Sequence, residues 1–334
     1  MFSPVFFASC TRSEKEKSTA ETPVKEVKEG LSQHVSRKVR LIPYWVTSAQ
    51  FAGYYVGIEK GIFRKYNIDL EILPFDPFTS ATPVISSGSA DFAILWLVNA
   101  LELRDQGVKI VNIAQLSTRS SLMLLTKKSS GIGTIEGMNG KRAGIWSGFE
   151  LQPEALFRKY GIDVKLVSIG SSNSLFLLDG VDIINANWFD EYHAILNSGY
   201  DENELNKFFF ADYGLNFLED GIYCLSEKLK KDPGLCEDFV KASVESWTYA
   251  FDNQEETIGI VERKAISENR PVNRSHVQWM LNCYRDLYIP KGKTAVSTTL
   301  SSGDYMTVAG ILLKNRLIGT VAPYDSFYIP LKIK

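Results

Sequence analysis

The sequence predicts an α/β fold in which one layout occurs twice, and three observations carry that prediction. The chain has 334 residues, enough for two core-forming domains. Between Lys38 and Leu73 it reads as a β-loop-α-β unit whose loop and helix start are loaded with aromatics. Ser87-Gly88-Ser89-Ala90-Asp91-Phe92-Ala93-Ile94 and Gly180-Val181-Asp182-Ile183-Ile184-Asn185-Ala186 each follow a short helical stretch and read as a turn entering a strand.

The elements follow in order. Lys38–Tyr44 is a buried-strand pattern, Phe51–Lys60 a helix closed by Gly61, and Ile68–Leu73 an alternating strand. Ser80–Ser87 is a helix ending at Gly88, Leu97–Gln106 a helix stopped by Gly107, and Val108–Gln115 and Ser121–Thr126 are strands. A second round begins near Ser129. A glycine-rich loop, Gly131–Gly140, precedes a strand at Lys141–Trp146, then a helix at Pro153–Tyr160, a strand at Val164–Ile169 and a short helix at Ser174–Leu178. Phe208–Phe210 and Gly221–Leu225 read as the closing strands, Pro233–Asp252 as a long helix, and the remainder as mostly helical.

Composition bounds the function. Hydrophobic content of 45% and charged content of 23% are those of a globular chain. A formal charge of -2 gives no reason to expect nucleic acid or an anionic membrane as partner. No apolar run is long enough to span a bilayer. Cys224, Cys236 and Cys283 show no CxxC or Cys/His grouping, so no metal site is expected, and they are buried thiols or at most one disulfide.

Residues 1–37 are different. Met1–Cys10 is apolar and ends in Ala8-Ser9-Cys10, which resembles the lipobox of bacterial lipoproteins, with Cys10 as the lipidated residue. Phe7 departs from the usual aliphatic residue, and no basic region precedes it. Thr11–Lys38 is rich in Glu, Lys and Ser and reads as a flexible tether.

The run Trp45 … Gln50-Phe51-Ala52-Gly53-Tyr54-Tyr55 … Glu59-Lys60-Gly61 resembles the opening of periplasmic-type substrate-binding proteins of ABC importers, in the branch related to thiamine-pyrimidine biosynthesis proteins. The two strand motifs, and Lys141–Trp146 opening the second round, extend the resemblance. Trp247 stands where that family usually has glycine. The resemblance implies two α/β lobes joined by two crossings in the type II manner, with the ligand cleft between them. The first lobe would hold residues 38–125 and 225–334, and the second 126–224. It further implies a small-molecule ligand, a membrane permease as partner, a monomer, and a place on the periplasmic side of a bacterial envelope, tethered only by lipid. The leading ligand class is a thiamine pyrimidine precursor; a flavin, an alkanesulfonate or nitrate is the alternative.

Open α/β sheets bind ligands at the carboxyl ends of their strands. The candidates there are Trp45, Gln50, Phe51, Tyr54, Trp96 and Asn99 in the first round, and Trp146, Ser147, Glu150, Asn187, Trp188 and Glu191 in the second. Aromatic faces stack on flat rings. A carboxylate such as Glu191 can accept from an exocyclic amine. The alternative for Asp190, Glu191 and His193 is a solvated helix start, and His193 reads that way. The same branch contains a pyridoxal-phosphate-dependent pyrimidine synthase, which needs a lysine and a histidine in the first strand motif. Leu95 and Asn99 occupy those positions here, and the synthase's cysteine-dense loop is missing from Tyr213–Cys224. With only three histidines and no P-loop or HExxH motif, the sequence leads one to expect no enzyme and no cofactor.

Overall fold

The computed structural model describes residues 36–75, 80–170 and 172–333. Cys10 and nearly all of the tether lie outside them. Ten strands are described: β1 (Arg37–Ile42), β2 (Ile68–Ile72), β3 (Phe92–Leu95), β4 (Ile110–Gln115), β5 (Leu122–Lys127), β6 (Arg142–Trp146), β7 (Lys165–Ile169), β8 (Ile183–Asn187), β9 (Leu205–Phe209) and β10 (Gly221–Leu225).

They form two five-stranded sheets of the same plan. The first has the order β2-β1-β3-β10-β4 and the second β7-β6-β8-β5-β9. In each, the first three strands are parallel and the fourth runs antiparallel to both neighbours. Each antiparallel strand arrives from the other lobe. This shifts both lobe boundaries from where the sequence places them. β5 pairs Leu122 with Asn187 and Met123 with Phe209, so residues 122–125 belong to the second lobe. β10 pairs Gly221 with Leu95, so residues 221–224 belong to the first. A strand's own pattern of buried residues does not say which sheet it joins; its partners decide.

Helix Ala52–Glu59 follows a tight turn at Ala49–Phe51, where the Ser48 hydroxyl accepts the Gln50 N–H at 3.3 Å. Gly61, at φ 68, ends this helical run and starts the short helix Ile62–Lys65. The long helix Pro233–Asp252 starts with proline in its first turn, and the Asp232 carboxylate accepts the Leu235 N–H at 2.9 Å. It presses Trp247, wholly buried, against Gly53. Helices Gln254–Ser267 and Arg274–Tyr288 complete this side of the first lobe.

The two crossings, residues 116–121 and 214–220, run side by side. Glu219 joins them: its carboxylate accepts from the Ser120 hydroxyl at 2.9 Å and the Ser121 N–H at 3.0 Å. Its carbonyl accepts from the Gln115 amide and the Ser117 hydroxyl. Cys224, Cys236 and Cys283 are buried free thiols, which resolves the alternative left open by the sequence. Among the described residues, no helix is long and apolar enough to cross a membrane.

Candidate functional site

A cavity of about 270 Å³ opens between the lobes, where β1, β3, β6 and β8 present their carboxyl ends. That is near the small end of ligand pockets, which suits a single-ring solute. Two loops of the first lobe, after β1 and β3, bring Tyr44, Trp45, Gln50 and Trp96. The second lobe brings Trp146 and Phe149 after β6, and Asn185, Asn187 and Glu191 from the end of β8 and the helix start beyond it.

Aromatic rings meet across the cleft. Trp96 stands edge-on to Phe149 with centroids 5.1 Å apart, and Trp45 to Trp146 at 6.5 Å. The indole N–H groups of Trp96 and Trp146 are closed from water and have no acceptor among the described residues. An unmet buried donor costs about 1–3 kcal/mol, so each favours a ligand acceptor or a parting of the lobes.

Polar side chains are held in place from behind. Asn185 accepts the Trp146 backbone N–H at 3.0 Å through its side-chain oxygen. Asn187 accepts the Ser121 hydroxyl at 3.0 Å and donates its backbone N–H to Glu191 at 2.7 Å. The Gln50 amide donates to Asp220 at 3.1 Å, tying the cleft to the return crossing.

Burial dominates the electrostatics. It pushes the Glu191 carboxyl up, with the neighbouring Asp190 adding to the effect, to about 7. The Glu219 carboxyl, buried and beside Asp220, is pushed up to about 8, and burial raises Asp220 to about 6. At the rim, His276 on helix Arg274–Tyr288 meets Asp190 at 3.0 Å and the His193 ring nitrogen at 2.7 Å. Trp279 stacks on His193 at 4.8 Å and donates its indole N–H to the Trp188 carbonyl at 3.0 Å. Asp190 and His193 are therefore parts of an inter-lobe contact, which corrects the solvated reading of His193.

The structure gathers Trp45, Gln50, Trp96, Trp146, Asn187 and Glu191 around one cavity. It places the other candidates elsewhere. Phe51 and Tyr54 are each 1% exposed, on the face of their helical segment that packs into the first core. Asn99 lies beside Tyr44 and Glu102 on helix Leu97–Asp105, behind the cavity wall. Ser147 is exposed on its turn. Glu150 folds back to accept the Gly148 N–H at 2.8 Å. Trp188 packs edge-on to Phe209 at 6.0 Å.

Sequence reasoning missed Arg270, His276 and Met280, which reach the cavity from helix Arg274–Tyr288 and the connection before it. No local motif marks them. Among the described residues, no group of three or more His, Cys, Asp or Glu is placed to hold a metal ion. Among the described residues no lysine lines this cavity, and Leu95 is buried within β3, so the described lining does not fit a pyridoxal phosphate held as a Schiff base.

Comparison with known proteins places these features. A family profile described as "NMT1/THI5 like" matches residues 48–257. A Haemophilus influenzae protein provisionally named for thiamine biosynthesis is 26% identical over 47% of this chain and 46% of its own length. A Candida albicans 4-amino-5-hydroxymethyl-2-methylpyrimidine phosphate synthase is 23% identical over 66% of this chain and 69% of its own. A Legionella pneumophila synthase of the same name is 28% identical over 32% and 34%. This chain thus matches less than half the length of the Haemophilus and Legionella proteins.

Among solved structures, the periplasmic aliphatic sulphonate binding protein SsuA of Escherichia coli superposes with a TM-score of 0.68 at 14% identity, covering 89% of this chain and 94% of that one. The desulfurization enzyme DSZB does so with a TM-score of 0.57 at 13% identity, covering 87% and 96%. At such identities the likeness is one of fold, and the fold serves a binding protein and an enzyme alike. The synthase names overturn the sequence-based expectation of no enzyme: curated relatives of this chain carry an enzyme's name.

Proposed function

The chain belongs to the NMT1/THI5 like family, and from that premise we propose that its cleft captures a small amine-bearing heteroaromatic solute of the thiamine-pyrimidine class. In this reading the protein delivers the solute to a membrane permease from the outer side of the membrane, tethered through Cys10. One observation carries it. Indole rings from the first lobe, Trp45 and Trp96, face hydrogen-bonding groups from the second, Asn187 and Glu191, around a single-ring-sized cavity.

A flat ring stacks on the former while its exocyclic amine donates to the latter. Closure of two lobes over a solute is a hinge motion about the paired crossings. The test is a calorimetric panel of aminopyrimidines, flavins, alkanesulfonates and nitrate. Tightest binding by an aminopyrimidine supports the reading, and tightest binding by a sulfonate or nitrate sinks it. For the tether, Cys10→Ala should move the protein out of the membrane fraction.

The names of the curated relatives favour a second reading, synthesis of the pyrimidine rather than its capture. Mass spectrometry of the protein incubated with pyridoxal phosphate tests it. A new aminopyrimidine phosphate in the mixture would establish that reading.

A further inference from the structure

We propose that Arg270 is a specificity determinant that reads an anionic substituent, a carboxylate or a phosphate, on the ring held in the cleft. The proposal rests on the reading of the cleft as an aminopyrimidine site and extends it.

Arg270 lines the main cavity and also a neighbouring one of about 230 Å³; Trp45 and Val46 stand between the two and line both. Its side chain is half-buried, yet among the described residues it enters no ion pair and donates no hydrogen bond. The carboxylates that line the two cavities with it are otherwise engaged. Glu268 pairs with Lys264 at 2.8 Å. Asp190 meets His276 at 3.0 Å, and Glu191 accepts the Asn187 N–H at 2.7 Å.

The backbone fixes Arg270 from both sides. Helix Gln254–Ser267 ends with Asn269 in the left-handed region, at φ 55, and the Arg270 N–H returns to the Ala265 carbonyl at 2.9 Å. Pro271 follows and restricts Arg270 to extended conformations. A guanidinium held in this way, partly desolvated and with no hydrogen-bonded partner among the described residues, suits two-point contact with a carboxylate or phosphate. In the second cavity Lys264 and Arg270 outnumber Glu268, so the local charge also favours an anion.

The cleft thus carries groups of both signs, Asp190 and Glu191 as well as Arg270. The ligand it fits carries a donor, such as an amine, and an anion on the same small ring.

The test compares three probes that share one ring: 4-amino-5-hydroxymethyl-2-methylpyrimidine, its phosphate ester, and the corresponding 5-carboxylate. Each is titrated by calorimetry into wild type, Arg270→Gln and Arg270→Lys, with thermal unfolding of each variant as the check on folding. We expect at least one anionic probe to bind wild type at least about tenfold more tightly than the alcohol. Arg270→Gln should remove that advantage and leave the alcohol within about threefold, and Arg270→Lys should restore part of it. Which anion wins separates phosphate from carboxylate.

If the alcohol binds as tightly as both anions, or Arg270→Gln weakens all three alike, the proposal falls while the aminopyrimidine reading stands. If no probe binds wild type, both fall.

Discussion

The Glu219 carboxylate on the return crossing accepts the Ser121 backbone N–H on the outward crossing at 3.0 Å. A buried acid is thus one of the links between the two crossings about which the lobes would move. Its neighbour Asp220 holds Gln50 in the cleft at 3.1 Å, so the hinge and the ligand site share one polar chain.

That acid sets a pH dependence. Burial raises Glu219 to about 8 in the folded protein, against about 4.3 in an unfolded chain. A raised carboxyl favours the folded state fully below the unfolded value, and that contribution is lost as pH rises through the folded one. Stability should therefore fall between about pH 4.5 and 8. Glu219→Gln keeps a neutral side chain throughout and should flatten this fall, with a gain on the order of 1–3 kcal/mol at the alkaline end. Urea midpoints of both proteins across that range decide it. Parallel curves would show that Glu219 does not titrate within it.

The rim contact should loosen in acid. His193 is lowered below its usual value by burial first and by His276 second, with Asp190 opposing. A lowered histidine supports the closed arrangement above about 6.5, and that support is lost as pH falls below it. His276, Asp190 and Glu191 face the same spot, and protonating Glu191 on the way down removes a charge that would otherwise steady a histidine cation. Small-angle scattering should show the lobes parting between pH 7 and 5.5, and His193→Gln should abolish the transition. An unchanged transition in that variant would assign it to another group.

In the cleft, Glu191→Ala should weaken an aminopyrimidine by about 1.5–3 kcal/mol, the range for a hydrogen bond to a charged group. Trp96→Leu should lose about 0.5–1.5 kcal/mol of stacking beyond area burial. Since Glu191 sits at about 7, affinity for the amine-bearing ring should rise with pH through that value. Calorimetry at pH 6 and 8 tests both statements. Equal affinity of wild type and Glu191→Ala for every ligand would remove Glu191 from the site.

In the first core, a β-carbon at Gly53 would lie 2.5 Å from the Trp247 ring. Gly53→Ala should cost about 1–3 kcal/mol through overpacking. The double variant Gly53→Ala/Trp247→Leu should be less destabilised than the two single changes added together, because the smaller side chain relieves the clash. Additive losses would mean that the two residues do not press on each other.

The sequence by itself determined what contiguous residues encode. Alternation and turn residues marked the strands Ile68–Ile72 and Ile183–Asn187. The twin motifs ending at Ile94 and Ala186 announced two sheets of one plan, and aromatics just past strand ends pointed to Trp45, Trp96 and Trp146. These signals are legible because they repeat at the period of the backbone itself.

Only the tertiary structure decided the rest. Phe51 and Tyr54 turned inward because the long helix carrying Trp247 covers that face, and no residue near them says so. β5 and β10 changed sheets because their pairing partners lie far along the chain. Arg270, His276 and Met280 reached the cleft from a helix and the connection before it, more than a hundred residues beyond Trp146, and Glu219 became a joint between crossings about a hundred residues apart. Such contacts are set by how the elements dock. The local pattern of a segment records which face is buried, and it carries no record of what that face is buried against.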